Sequence, residues 1–239
     1  VALDFVPASS QRLNIGLDIP SLNAKAAGTM MCWVRPDVLA TNSISEQSVG
    51  PPPGTSATSR FFFNPQSTGA FQLGARDTDG GGSFVLTSAV ALVAGVWSHV
   101  VAVVDIANDV QEVWVNGVLI SSGAPAFTNP TFPATNSKNG CVAANDDGTG
   151  AFFDGLIEDF RLYDRRLSAA EIETIYACRG IDGIVHGLVQ GWRMNEEADG
   201  VLAVAAGSMK DVSPASRNID PINSPVFQPG TIRTRRRVA

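Results

Sequence analysis

The sequence predicts an all-β protein, and three observations carry that expectation. Short apolar runs alternate with turn residues along most of the 239 residues, broken up by 23 glycines and 14 prolines. That is the pattern of many short strands rather than of long helices. Apolar side chains recur at period two in Trp97–Asp105 and Val113–Ile120, the spacing of one strand face. Within the second run sits Asn116-Gly117, two residues that tolerate the positive φ of a type I′ hairpin turn.

Taken in order, Ala2–Phe5 and Arg12–Ile15 read as short strands around the turn Pro7-Ala8-Ser9-Ser10. In Thr29–Arg35, Met30, Cys32 and Val34 oppose Met31 and Trp33, so apolar groups on both faces indicate a central strand covered on both sides. From Thr41 to Ser59 the composition shifts to Ser, Thr, Gly and Pro, which reads as a long surface loop open to a binding role. Arg60–Asn64, Ala70–Ala75 and Ser83–Ala89 read as successive antiparallel strands, the last two joined by the acidic glycine turn Arg76–Gly82. In the next strand Val101 and Val103 face one way and Val100, Ala102 and Val104 the other. The hairpin sets Val113, Val115, Val118 and Ile120 against Trp114 and Leu119. Ser121–Asn139 is rich in Pro, Thr and Asn and reads as a crossing between sheets. Cys141–Ala144 is a short strand before a second acidic turn, Asn145–Gly150.

Ala151–Gly180 reads as a half-buried strand running into a capped helix. Period two puts Phe152, Leu156, Phe160 and Leu162 on one face, with Arg161 and Tyr163 on the other and Glu158 interrupting the apolar side. Ser168 to Glu171 has the S-x-x-E form of a capping box, in which both side chains satisfy amide hydrogens at the helix start. Ile172, Ile175 and Tyr176 form the buried stripe, and Gly180 is placed to cap the C-terminus.

Phe152–Ile172 (FFDGLIEDFRLYDRRLSAAEI) resembles the closing signature of laminin-G-like, concanavalin-A-like jelly-roll domains, with Glu158-Asp159 in reversed order. Thr29–Asp37 (TMMCWVRPD) is similar to the family's early W-V-basic-P strand, and Gly95–Ile120 to its central W-x-H strand and Asn-Gly hairpin. The resemblance implies a two-sheet antiparallel jelly-roll sandwich with one short helix near 168–179. Gly187–Asn195 (GLVQGWRMN), Asp211-Val212-Ser213 and Pro225–Phe227 are similar to the opening of such domains, yet they follow the closing helix. The expected organisation is a sandwich over 1–180, C-terminal strands over 181–230 that complete it, and a basic tail over 231–239. A truncated second repeat is the alternative, although about 50 residues is small for an independent sandwich.

Net charge is −6, which speaks against nucleic-acid binding. No apolar run approaches the roughly 20 residues of a membrane helix, so no membrane partner is expected. The numbered chain starts without the charged and apolar regions of a secretory signal. Cys32, Cys141 and Cys178 lack the spacing of a disulfide framework or zinc site, so they read as small buried hydrophobes suited to a reducing compartment, with one disulfide plus a free thiol left open.

No catalytic constellation emerges. Glycoside hydrolysis needs two carboxylates about 5 to 9.5 Å apart, but the adjacent Glu158 and Asp159 point to opposite faces of a strand. Glu112 and Asp154 have no same-strand partner. His99 and His186 lack a nucleophile elbow, and both read as structural. Glu158 is expected to pair with Arg35 or Arg161. Calcium at the sandwich rim is implied by the resemblance. Asn145, Asp146 and Asp147 are the preferred oxygen ligands over Asp77 and Asp79, although exposed turns favour the same residue types on conformational grounds.

The tail carries Arg233, Arg235, Arg236 and Arg237 in an otherwise acidic chain, either as a solvated terminus or as an anchor for a partner's carboxylates. The resemblance implies a non-enzymatic interaction protein, an accessory virion component of tailed bacteriophages. As a capsid decoration or fibre-associated protein it would be assembled in the host cytoplasm, contact capsid or other virion proteins and form a homo-oligomer on the particle. The alternative is a glycan-binding lectin module with calcium, extracellular or at a cell surface. Its stacking platform would come from Phe61, Phe62 and Phe63, one of whose rings the alternation leaves exposed.

Overall fold

Strands with one apolar face need a second sheet to bury it, and this chain supplies two. The structure, a computed structural model, describes residues 1–15, 22–48, 59–79, 81–134, 139–145, 148–204 and 207–231. In chain order the elements are β1 (Ala2–Phe5), β2 (Arg12–Asn14), β3 (Ala27–Pro36), β4 (Ser45–Ser48), β5 (Ser59–Pro65), β6 (Phe71–Ala75) and β7 (Phe84–Thr87). They continue with β8 (Ser98–Asp105), β9 (Val110–Val115), β10 (Val118–Gly123), β11 (Asn139–Val142) and β12 (Gly155–Tyr163). Helix α1 (Ala169–Cys178) follows, then β13 (Leu188–Trp192), β14 (Asp220–Ile222) and β15 (Val226–Gln228). One antiparallel sheet runs β10-β9-β8-β3-β12-β1-β15, with β13 also on β12; the other runs β14-β2-β11-β4-β5-β6-β7. The protein is an all-β jelly-roll sandwich with one helix.

The core lies between the sheets. Met30, Cys32 and Val34 of β3, with Val100, Ala102 and Val104 of β8, meet Phe61, Phe63, Phe71 and Leu73 from β5 and β6. Full burial of each such side chain is worth about 1.5–3 kcal/mol. Burial drives the Cys32 thiol far above its ordinary pKa, leaving it inert. No disulfide joins the three cysteines; Cys32 and Cys141 are buried, whereas Cys178 is only half-buried.

The outer face of the eight-stranded sheet carries a second cluster. Met31, Val101, Val103, Trp114 and Tyr163 pack there against Ile172 and Ile175 of α1. Ser168 Oγ accepts from Glu171 N while Ser168 N donates to Glu171 Oε2 at 2.9 Å, closing the capping box. Thr29 of β3 fixes the chain ahead of the helix: its Oγ1 donates to Arg165 O and accepts from Leu167 N, at 2.8 and 3.1 Å. The C-cap is Arg179 in the left-handed region, not the expected Gly180.

Three further expectations change. Period two fails in β12: Asp159, at φ +51°, is an extra residue opposite β3, where the register moves from Glu158↔Trp33 to Arg161↔Met31. Beyond this bulge the inward set passes from Ile157 to Phe160 and Leu162, so Leu156 does not share their face. Part of the expected 41–59 loop is strand β4, pairing with β5 and β11. Its Ser45 and Gln47 are polar yet buried, donating to Cys141 O and to Gln190 Oε1. On edge strand β10 the register shifts between Leu119 and Ser121, and Val118 is 62% exposed instead of facing the core.

The C-terminal strands lie in both sheets. β13 pairs with β12, β14 with β2, and β15 with β1. Trp192 stacks on Phe160 with centroids 5.6 Å apart, and its Nε1 donates to Arg217 O at 3.0 Å. The Asp211 carboxylate accepts from the amides of Gly191, Ser213 and Arg217, fastening the following loop to β13.

Candidate functional site

The outer face of the seven-stranded sheet follows from its register. Glu46 of β4 lies opposite Phe62 of β5, which lies opposite Gly74 of β6. In the next row Asn64 lies opposite Gln72, and Gln72 opposite Thr87 of β7. Phe61 and Phe63 point inward and are fully buried, while Phe62 is half-buried on the outside. The distal atoms of its ring lie over Gly74, so closely that a β-carbon there would overlap them. Glycine is therefore what lets the ring lie down on the sheet and keep one side toward solvent.

Polar groups flank that ring. Asn64 Nδ2 donates to Glu46 Oε1 at 3.0 Å, and the buried Asn64 Oδ1 has no hydrogen-bond partner among the described residues. A buried acceptor left unpaired costs about 1–3 kcal/mol. The arrangement offers an aromatic platform, a carboxylate and two carboxamides on one face. Phe62 was among the three sequence candidates. Glu46 and Gln72 were not, because Glu46 lay in a presumed loop and Gln72 only gains meaning from its row.

Other sequence candidates have structural work. Asp77 clamps the 121–139 crossing: its Oδ2 accepts from Thr128 Oγ1 and Asn129 N, at 2.9 and 2.8 Å. Burial pushes its carboxyl up, but these hydrogen bonds outweigh that and hold it below the usual range. Asp79 sits 3.5 Å from the buried Arg60 guanidinium. Asn145 closes its own turn, its Oδ1 accepting from Thr149 N and Gly150 N at 3.0 and 2.9 Å. Asp146, Asp147 and the four tail arginines lie outside the described residues. Among the described residues no cluster of three or more His, Cys, Asp or Glu side chains could hold a metal ion.

The expected Glu158 pairing is also revised. Arg161 bridges Asp159 and Asp182 at 2.7 and 2.9 Å, and Arg35 pairs with Asp37 at 3.2 Å. Glu158 instead accepts from the backbone of Thr231. His99 is buried against Trp33, with centroids 5.2 Å apart, and burial depresses its imidazole to about 3. Neutral and enclosed, it has the structural role expected of it. No helix among the described residues is long and apolar enough to cross a membrane.

A two-sheet sandwich with a polar, aromatic-bearing outer face has the architecture of the lectin-like jelly rolls. Residues 9–173 match the family Laminin_G_3, the concanavalin A-like lectin/glucanases superfamily, and the chain belongs to it. Among solved structures it resembles a candidate carbohydrate-binding protein of Bacteroides ovatus, with TM-score 0.62 and 13% identity, covering 95% of this chain and 59% of that one. It is also similar to the CBM40 of the Ruminococcus gnavus IT-sialidase bound to α2,3-sialyllactose, with TM-score 0.54 and 22% identity, covering 64% and 84%. A third likeness is to the heptameric SAP-like pentraxin of Limulus polyphemus, with TM-score 0.53 and 16% identity, covering 76% and 83%. The chain thus spans under two thirds of the Bacteroides protein's length. No curated protein matches it.

Proposed function

We propose that this protein is a non-catalytic carbohydrate-binding module whose binding face is the outer side of the seven-stranded sheet. The observation that carries the reading is the Phe62 ring lying over Gly74 with Glu46, Asn64 and Gln72 around it. The apolar C–H face of a sugar stacks on such a ring, and neighbouring carboxylate and amide groups exchange hydrogen bonds with its hydroxyls. Glycan recognition takes precedence over the virion role implied by the resemblance, because two of the structural neighbours are described as sugar binders. Calcium at Asn145, Asp146 and Asp147 belongs to the same reading, as a modulator of binding.

Glycan arrays run with calcium and with chelator, followed by calorimetry, test it. Phe62→Ala should weaken binding about five- to twelvefold, the loss of one stacking contact of roughly 1–1.5 kcal/mol. Sugar binding that Phe62→Ala leaves untouched would sink this face. Binding unaffected by chelator would remove calcium from the reading.

A further inference from the structure

On the opposite side of the sandwich, between β9 and the turn into α1, lies an open pocket of about 440 Å³ lined by Glu112, Trp114, Arg166, Leu167, Ser168 and Ala169. We infer that it is a second ligand site, for a single neutral pyranose ring. The pocket stands on its own geometry; only its ligand class rests on the carbohydrate reading above.

Its polar groups form an ordered array. The Glu112 side chain is 10% exposed; its Oε2 accepts from Trp114 Nε1 at 3.1 Å and its Oε1 from Arg166 Nη2. A carboxylate has about four lone-pair sites, so two bonds leave Glu112 able to accept more. Arg166 also reaches Asp105, Nη1 to Oδ2 at 3.7 Å, and is 39% exposed, with guanidinium hydrogens to spare toward solvent. The amide of Ala169, first residue of the helix, has no partner within the helix by construction. Acceptor and donors thus stand side by side along a wall made by Trp114 and Leu167.

This arrangement selects its ligand by charge and by size. Two carboxylates, Asp105 and Glu112, face one guanidinium, so the site does not favour an anion. Vicinal hydroxyls each give and take a hydrogen bond, which suits adjacent donors and acceptors, and the ring's C–H face matches the apolar wall. The volume falls at the small end of ligand pockets, roughly 300–1,000 Å³, fitting one ring rather than a chain.

The test is a titration of ¹⁵N-labelled protein with methyl glucopyranoside, galactopyranoside and mannopyranoside, following the Trp114 indole N–H, assigned by its loss in Trp114→Phe. The expected result is a saturable shift with at least one glycoside in wild type and in Phe62→Ala. Glu112→Gln and Arg166→Ala should weaken it about tenfold or more. Arg166 is partly exposed, so its variant keeps the test valid if Glu112→Gln fails to fold. An indole signal that none of the three sugars moves, or one that moves equally in both pocket variants, overturns the site. The Gly74 amide reports separately on the Phe62 face. Its movement alongside a silent indole would sink the pocket and spare the carbohydrate reading, whereas silence at both would sink the pocket and leave the Phe62 face to the glycan arrays.

Discussion

The backbone N–H of Thr231 donates to both carboxylate oxygens of Glu158, at 2.8 and 3.0 Å. Arg179, the helix C-cap, donates to Thr231 Oγ1 at 3.0 Å. The chain leaving β15 is therefore held between β12 and α1, and a β-carbon on Gly230 would collide with Glu158 and with the main chain of Val1. Glu158→Ala should cost about 1 kcal/mol by removing the acceptor of the half-buried Thr231 amide, read as a lower midpoint in urea unfolding.

Arg161 is the shared cation of Asp159 and Asp182, both nearly enclosed. Burial alone would raise the Asp182 carboxyl, but hydrogen bonds and charge from Arg161 lower it below its ordinary value. In the wild type that contribution is present above the unfolded carboxylate pKa and is lost as pH falls through the folded one. Arg161→Met leaves two buried carboxylates without their cation and should cost about 3–5 kcal/mol at neutral pH. Its stability should then rise on mild acidification, the reverse of the wild-type trend, in chemical denaturation across pH 4–7.

His99 is depressed to about 3 by burial, whereas the unfolded chain titrates near 6.5. The unfolded state therefore binds the proton first, and this residue's contribution to stability falls as pH drops from about 6.5 toward 3. His99→Phe should flatten that part of the profile, measured as the pH dependence of the thermal midpoint. An unchanged slope would show that His99 takes up its proton in the fold as readily as in the unfolded chain.

Gly74→Ala places a methyl group where the Phe62 ring lies. The ring must lift, at a cost of about 1–3 kcal/mol, and sugar binding should fall as it does in Phe62→Ala. A variant destabilised yet fully able to bind would separate the ring's packing role from recognition.

Most of the architecture was legible because strands announce themselves by alternation and turns by chemistry. Asn116 and Gly117 both adopt positive φ, 52° and 78°, and Ser168 with Glu171 closes the capping box that their spacing implied. The candidate face was legible only in part. Alternation in Phe61-Phe62-Phe63 foretold one outward ring, but nothing local marks Glu46 or Gln72 as its neighbours, since cross-strand rows depend on pairing. β4 was hidden because burial of Ser45 and Gln47 is satisfied by distant partners, Cys141 and Gln190, and their polarity mimics a loop.

The extra residue at Asp159 acts as a phase change in β12. Upstream, odd-numbered positions such as Ile157 feed the core between the sheets; downstream, even-numbered ones do, freeing Arg161 and Tyr163 for the helix side. Deleting that single residue would restore an unbroken strand in which every other side chain keeps its face, and would cost Arg161 one of its two carboxylate partners. Straightening the bulge with the residue still present is what would aim a guanidinium and a phenol at the interior and Phe160 at the helix. For this strand an insertion is thus graver than a substitution, because an extra residue with no bulge to hold it swaps the addresses of a whole half-strand at once.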